Sequence, residues 1–591
     1  MKHLKRILMF ALVFSPLAKV VAQDENYDAV YLSLTKEYTL NADGTIDYRC
    51  TKTLKLQNYR SFHRLFGETF IVYNPDFQEL KVNQAYTIMA DGKKVVAPEN
   101  AFNEVLPGFA AHAPAFNQLR EMVVTHTGLE IGSTIFFDYQ IHTAKGFFPA
   151  FMGSTRLAED QPVKSMTVVI KTPAKQPLFF HLFNSALMPK ETNENGYTIY
   201  TWTQTDIPAI EAEAFQKDPL GDYPALIFSS LQNYEPLVEY FTSQEAFQYQ
   251  TNLAMDGFVG ELASENQKKA DLVFAIQESV VKDFNLFGVP EEDIGYKIRK
   301  PVEVWNSNGG TVAEKAVMMS ALLKQAGIRA DPVLIFPKNQ FNVNIGNLSN
   351  LKEWAVKTEI PGFGQTYLSV KQINAFDLMI LNPEGVFISL EPGKSFLLAY
   401  PPQNKDAISL KGQFVMDTVF QLSGELNGSL SGAAIPFLSL ARSEDKLKSY
   451  LRGGLSSSKF SSISFPELSP EESNFSGHLT KSEALKKDSD MYYFALPYFS
   501  TGLDSWEIDQ SYDFTIAIPE NLTLYSGEQE VRITNEAGSF LFLVKEKENM
   551  IQVLKEINFK GNNGGAESYK ALKELMDSWS LWKTNNLIFK K

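Results

Sequence analysis

The spacing of apolar residues changes period twice along the chain, and each change limits what the segment can become. From Tyr27 to about Glu235 apolar side chains recur at alternate positions, beyond Pro236 they recur at helical spacing, and from about residue 401 to Val553 alternation returns. Alternation gives a strand one buried face, whereas helical spacing gives a stripe. The order predicts a β block, an α+β block and a second β block. A length of 591 residues accommodates such a series at roughly 150 residues per domain.

In the first block, turn residues at Asn41 to Gly44, Ala90 to Gly92 and Asn193 to Gly196 separate the apolar runs, as turn chemistry requires. Strands are predicted over Val30 to Leu40, Ile46 to Leu56, Glu79 to Met89, Glu121 to Thr127, Ser133 to Ile141, Val163 to Thr172 and Thr198 to Gln204. This many short strands implies an antiparallel β-sandwich. In the middle block, Ala263 to Phe284 is predicted as one helix. A second opens at Thr311, where Thr311 and Glu314 form the Thr-x-x-Glu capping box, and ends at Gly327. Val312, Ala316, Met319, Leu322, Leu323 and Ala326 share its apolar face. Strands follow over Pro332 to Phe336, Leu351 to Glu359 and Gln365 to Ser369, and in the last block over Ala407 to Leu422, Met491 to Leu496, Tyr512 to Ile518 and Gly538 to Lys545. Ser456 to Ser476 carries apolar anchors and is expected as an ordered loop or edge region. Ala566 to Trp582 is a final amphipathic helix, with a closing strand over Leu587 to Lys590.

The chain opens with the pattern of a secretory signal: basic Lys2, Lys5 and Arg6, an apolar run from Ile7 to Phe14, and small residues up to a cleavage site after Ala22. No later stretch reaches the roughly 20 apolar residues of a membrane helix, and no cysteine follows the apolar run. A soluble, exported chain without a lipid anchor, periplasmic or secreted, is expected. Removing residues 1–22 takes away four positive charges and moves the formal net charge from −14 to −18. That balance excludes a nucleic-acid partner, which needs a basic footprint.

The one cysteine, Cys50, falls on the apolar face of Ile46 to Leu56 and is expected to be buried, a small hydrophobe rather than a nucleophile. His63, His112, His126, His142, His181 and His478 lack metal-ligand spacing. No metal and no other cofactor is expected. The resulting organisation is a signal peptide over residues 1–22, a β-sandwich over 23–235, an α+β core over 236–400, and a C-terminal β domain ending in a helix over 401–591.

Several stretches resemble a known family. Tyr73 to Lys93, Val96 to Asn103, Arg120 to Val124 and Leu129 to Ser133 in the first block, Arg299 to Trp305 and Ala321 to Ile328 in the second, and Ile518 to Asn521 and Asn535 to Gly538 in the third resemble exported Bacteroidetes-type proteins. Those proteins carry domain of unknown function 3857 ahead of a transglutaminase-like (papain-like) core. Asn308 to Phe336 looks like the nucleophile helix of that core. Active members would place a cysteine in the first helical turn, a histidine on a following strand and an aspartate on the next. Helix amides would stabilise the thiolate, imidazole would shuttle the proton, and the carboxylate would orient the ring. Carried over, these positions fall on Val312, Glu353 and Ser369. All three differ, and no cysteine or histidine occurs between His181 and His478.

Thr311 and Ser320 have no imidazole to activate them, so Thr311 is expected as a helix cap, and Glu353 as a strand residue rather than a lone base. The resemblance therefore implies a non-catalytic protein at the cell envelope, a pseudoenzyme that binds or scaffolds. Trp305, Thr311 and Trp354 are candidates to line the former cleft toward a peptide, protein or glycan. The alternative is an active transglutaminase or peptidase-like hydrolase with an unrecognised site.

Overall fold

The computed structural model describes residues 27–591 apart from 63, 211–222, 395, 402–405, 442–443, 455–458, 468, 470–471, 498–506 and 561–565. The signal segment over residues 1–22 and His63 lie outside the described residues. The protein is mainly β, with several sheets, a multidomain arrangement and a C-terminal β region that carries a helix near its end.

Residues of the first block form an eight-stranded sheet in the order Lys190–Glu194, Tyr197–Ile207, Val163–Pro173, Ala29–Leu40, Ile46–Leu56, Thr134–Thr143, Gln78–Ile88, Lys94–Val96. Pairing is antiparallel except between Ala29–Leu40 and Val163–Pro173, which run parallel. Alternation sends Leu34, Cys50, Met166 and Val168 against Phe228 and Leu226 of a three-stranded sheet (Phe179–Phe183, Ala225–Ser229, Met152–Arg156). Phe137 and Ala85 meet Ile71 and Val124 of another (Glu68–Tyr73, Arg120–Thr125, Phe102–Val105). The thiol of Cys50 is buried, and burial raises its pKa.

In the middle block, the helix expected over Ala263 to Phe284 is Lys269–Lys282, and Ala263 to Glu265 instead end a preceding helix, Leu253–Glu265. Asn252 caps that preceding helix by accepting from Met255 N at 3.0 Å, and Asn266 closes it by donating to the Leu262 carbonyl at 2.9 Å. Both helices bury residues in the same cluster. They flank Val312–Gln325, which is buried at every residue from Ala313 to Leu323 rather than along one stripe. Behind it lies an antiparallel sheet in the order Gly364–Ser369, Glu353–Ile360, Ala330–Pro337, Gly385–Ser389, Leu397–Ala399.

The last block builds a second eight-stranded sheet, Lys459–Glu467, Glu472–Lys481, Leu422–Ser431, Asp406–Met416, Glu507–Ala517, Met550–Lys560, Gly538–Lys547, Gln529–Asn535. Asp406–Met416 and Glu507–Ala517 form its parallel pair. Where one strand was expected over Ala407 to Leu422, a turn divides two. Asp417 Oδ1 accepts from Val419 N at 3.0 Å and Gln421 N at 2.8 Å, and Phe420 adopts φ +64°. The serine-rich stretch supplies the edge strand Lys459–Glu467. Helix Ala566–Ser580 buries Trp579 against Tyr512, and Asn586–Lys590 closes a four-stranded sheet. One apolar cluster continues from Tyr234 to Phe589, so the middle and last blocks share an interior.

Candidate functional site

Two features converge near the start of the buried helix: the helix terminus itself and an acidic loop that meets the first block. At the terminus, Thr311 has an extended backbone, its Oγ1 accepts from Glu314 N at 3.3 Å, and Glu314 Oε2 accepts from Thr311 N at 2.8 Å. This is the capping box the sequence predicts. Its carboxylate is also held by Arg299, whose Nε donates at 2.7 Å and Nη2 at 2.8 Å. Such paired, charge-assisted bonds fix geometry as well as charge. The guanidinium lies 5.2 Å from the Phe116 ring and 6.0 Å from that of Phe287. Phe116 belongs to the first block, so that block packs onto the helix start. Lys315 Nζ donates to the Phe284 carbonyl at 2.8 Å, and burial lowers its pKa to about 8.

Val312, in the first turn, is half-buried and packs against the central cluster. Register decides which strand residues lie on the helix side of the sheet. Ala355 pairs with Ser369 and Val356 with Leu368, so Trp354, Val356, Leu368 and Val370 share one face of the sheet. Those four belong to the cluster that contains Val317 and Met318 of the helix. Ala355 and Tyr367 belong to a separate cluster on the other face. Glu353 and Ser369 alternate onto that other face, so the structure does not bring them together with Val312. Glu353 forms an ion pair with Lys371 at 3.1 Å. Ser369 is buried; its Oγ accepts from Lys371 N at 3.1 Å and its carbonyl accepts from Gln277 Nε2 at 2.9 Å. The strand positions on the helix side are Trp354 and Val370.

Of the three residues expected to line a cleft, two are buried and Trp305 is half-buried. Thr311 and Trp354 are each 1 % exposed, and Trp305 meets Phe258 edge-on at 5.2 Å and lies tilted against Phe284 at 5.0 Å. The indole of Trp354 meets Phe241 edge-on at 5.1 Å.

Sequence reasoning missed the second feature. The loop around Glu291–Tyr296 is pinned between blocks: Asn74 Nδ2 donates to the Asp293 carbonyl at 3.4 Å, Tyr240 OH to the Gly295 carbonyl at 2.8 Å, and Gln244 Nε2 to the Tyr296 carbonyl at 3.2 Å. Gly295 has φ +62°, and a Cβ there would stand 2.5 Å from the Phe147 carbonyl. Burial raises the Glu291 carboxyl to about 7, against the opposing influence of Trp354 and Lys371. Asp293 is likewise pushed up to about 7 by burial and by Glu292. Glu292, Asp293 and Tyr296 form one side of a cleft of about 680 Å³ whose other side comes from the first block, including Lys36, Tyr48 and Arg156. The run Pro290 to Asp293 was the available signal, but acidic runs are mostly solvated faces.

Among the described residues, no three of His, Cys, Asp and Glu are grouped to hold a metal ion, and no helix is long and apolar enough to cross a membrane. His126 is buried, its Nε2 2.9 Å from Thr69 Oγ1, and burial drives its pKa down to about 3.

A domain of unknown function with a solved structure (DUF3857) matches residues 42–211, and a second (DUF3858) matches residues 505–589. No curated protein matches the chain. Among solved structures, the chain is similar to that of a candidate protease from Parabacteroides distasonis, with 26 % identity, a TM-score of 0.68, and coverage of 95 % of this chain and 99 % of that one. An M1 zinc metallopeptidase from Deinococcus radiodurans aligns over 34 % of this chain and 42 % of its own, at 15 % identity and a TM-score of 0.19, a likeness too slight to carry an argument.

Proposed function

We propose that the chain is an exported, non-catalytic transglutaminase-like protein that binds or scaffolds at the bacterial cell envelope. A signal segment over residues 1–22 directs it to the periplasm or beyond. The β-sandwich over 23–235, the transglutaminase-like core over 236–400 and the C-terminal β domain over 401–591 are its parts.

The observation that carries this reading is the start of the buried helix. A thiol enzyme of this design needs a thiolate at the helix amides and an imidazole facing it. Here the first turn carries Val312, and the strand positions that share the helix's apolar cluster beside Glu353 and Ser369 carry Trp354 and Val370. Valine, indole and valine supply neither nucleophile nor base. Likeness to a candidate protease supports a fold shared with hydrolases, while these side chains support loss of the chemistry. The mature protein should show no amine transfer, amide hydrolysis or peptidase activity above background; robust turnover would sink the reading.

A second reading rests on Glu291 and Asp293. Carboxyls titrating near 7 suit general acid–base work at neutral pH, which favours a hydrolase through the acidic loop. Loss of any measured turnover on Glu291→Gln or Asp293→Asn would support it.

A further inference from the structure

The cleft at the junction of the first block and the core has the chemistry of a peptide site. Its volume of about 680 Å³ lies within the usual range for ligand sites of ~300–1,000 Å³. All five residues of the strand Met152–Arg156 line it, and among the described residues this strand is at the edge of its sheet, paired only to Ala225–Ser229. An edge strand facing a cleft offers backbone donors and acceptors to an extended chain.

Charge is divided between the two ends of this strand. Arg156 closes it. Just before its start, Phe147 packs against Gly295, which places the acidic loop with Glu292 and Asp293 at that end. Among the described residues no ion pair reaches Arg156, Glu292 or Asp293, whereas the nearby Lys36 is already paired with Glu159 at 2.9 Å. The raised pKa of Asp293 marks a carboxyl that lacks a neighbouring cation.

We propose that the cleft binds a short peptide with both termini free, extended along Met152–Arg156, with its ammonium group at Glu292 and Asp293 and its carboxylate at Arg156. A strand of this length spans about 13 Å at ~3.3 Å per residue, which selects a ligand of roughly four residues. Tyr38, Tyr48 and Tyr296 supply apolar contact. This inference rests on the reading of the chain as a binding protein, and it names the ligand that reading leaves open.

Calorimetric titration of the full mature protein with tetraalanine tests it, alongside the N-acetylated and the C-amidated forms. Free tetraalanine should bind, and blocking either end should weaken binding by about tenfold or more, the loss of one charge-assisted contact. Arg156→Gln should remove the preference for a free carboxylate, and Glu292→Gln with Asp293→Asn the preference for a free amine. Equal binding of blocked and free peptides overturns the proposal, as does no binding at about 1 mM; neither comparison needs a variant to fold. Mass spectrometry of the recovered peptide separates the two readings. Intact peptide upholds both, and cleaved peptide overturns the non-catalytic reading while leaving the site in place.

Discussion

Glu314 secures the helix start at the scale of single residues, because a fully buried carboxylate there satisfies Thr311 N and neutralises Arg299 at once. Removing one partner of such a pair leaves the other charge uncompensated, at a cost of about 3–5 kcal/mol. Losing a cap hydroxyl costs about 1 kcal/mol. Urea unfolding should therefore rank Glu314→Ala well below Thr311→Ala in stability, and equal losses would show that Arg299 finds other partners. Val312→Cys tests the chemistry of the same turn. The half-buried thiol should be alkylated by iodoacetamide, yet the variant should gain no amide hydrolysis, since Trp354 cannot accept its proton; appearance of turnover would contradict that.

At the scale of elements, the acidic loop is the informative one. Gly295 holds it in a left-handed turn against Phe147, and Gly295→Ala would add both backbone strain and a clash with the Phe147 carbonyl. A loss of about 1–3 kcal/mol is expected, measured as a lower melting temperature. The carboxyls of this loop also make stability depend on pH. Glu291 and Asp293 rise to about 7 in the folded chain, above the roughly 4 of exposed carboxyls. Between those values the folded state binds more protons than the unfolded state. Their contribution is full below about 4 and is lost as pH rises through 7. The melting temperature of the protein relative to a Glu291→Gln, Asp293→Asn double variant should fall from pH ~5 to ~8. Parallel curves would show that these groups are solvated.

For the whole molecule, the junction between the first block and the core rests on few polar contacts. Asn347, on the core side, is buried and donates to the carbonyls of Gly153 and Phe228, both at 2.8 Å. Asn347→Leu would remove both of these bonds between the blocks while the two carbonyls keep their partners in the strand ladder, costing roughly 0.5–1.5 kcal/mol each. Calorimetry should then separate the first block from the rest as an earlier transition; one unbroken transition would place the coupling in the apolar contact of Phe116 with Phe287.

Much of this architecture was legible in the sequence because it is local. Period-two runs became strands such as Ile46–Leu56, and Thr311, Glu314 and Gly327 bounded the buried helix, since alternation and capping act within a few residues. Composition along the middle of the chain also settled that no cysteine or histidine there can serve as nucleophile or base. Tertiary structure decided the rest, through contacts between residues far apart in sequence. Strand register turned Trp354 toward the helix and Glu353 and Ser369 away from it, because a shift of one residue exchanges the faces of a strand. Packing between blocks set Gly295 against Phe147 and so joined the acidic loop to the edge strand Met152–Arg156. No spacing within either segment encodes that cleft, whose two sides are more than a hundred residues apart.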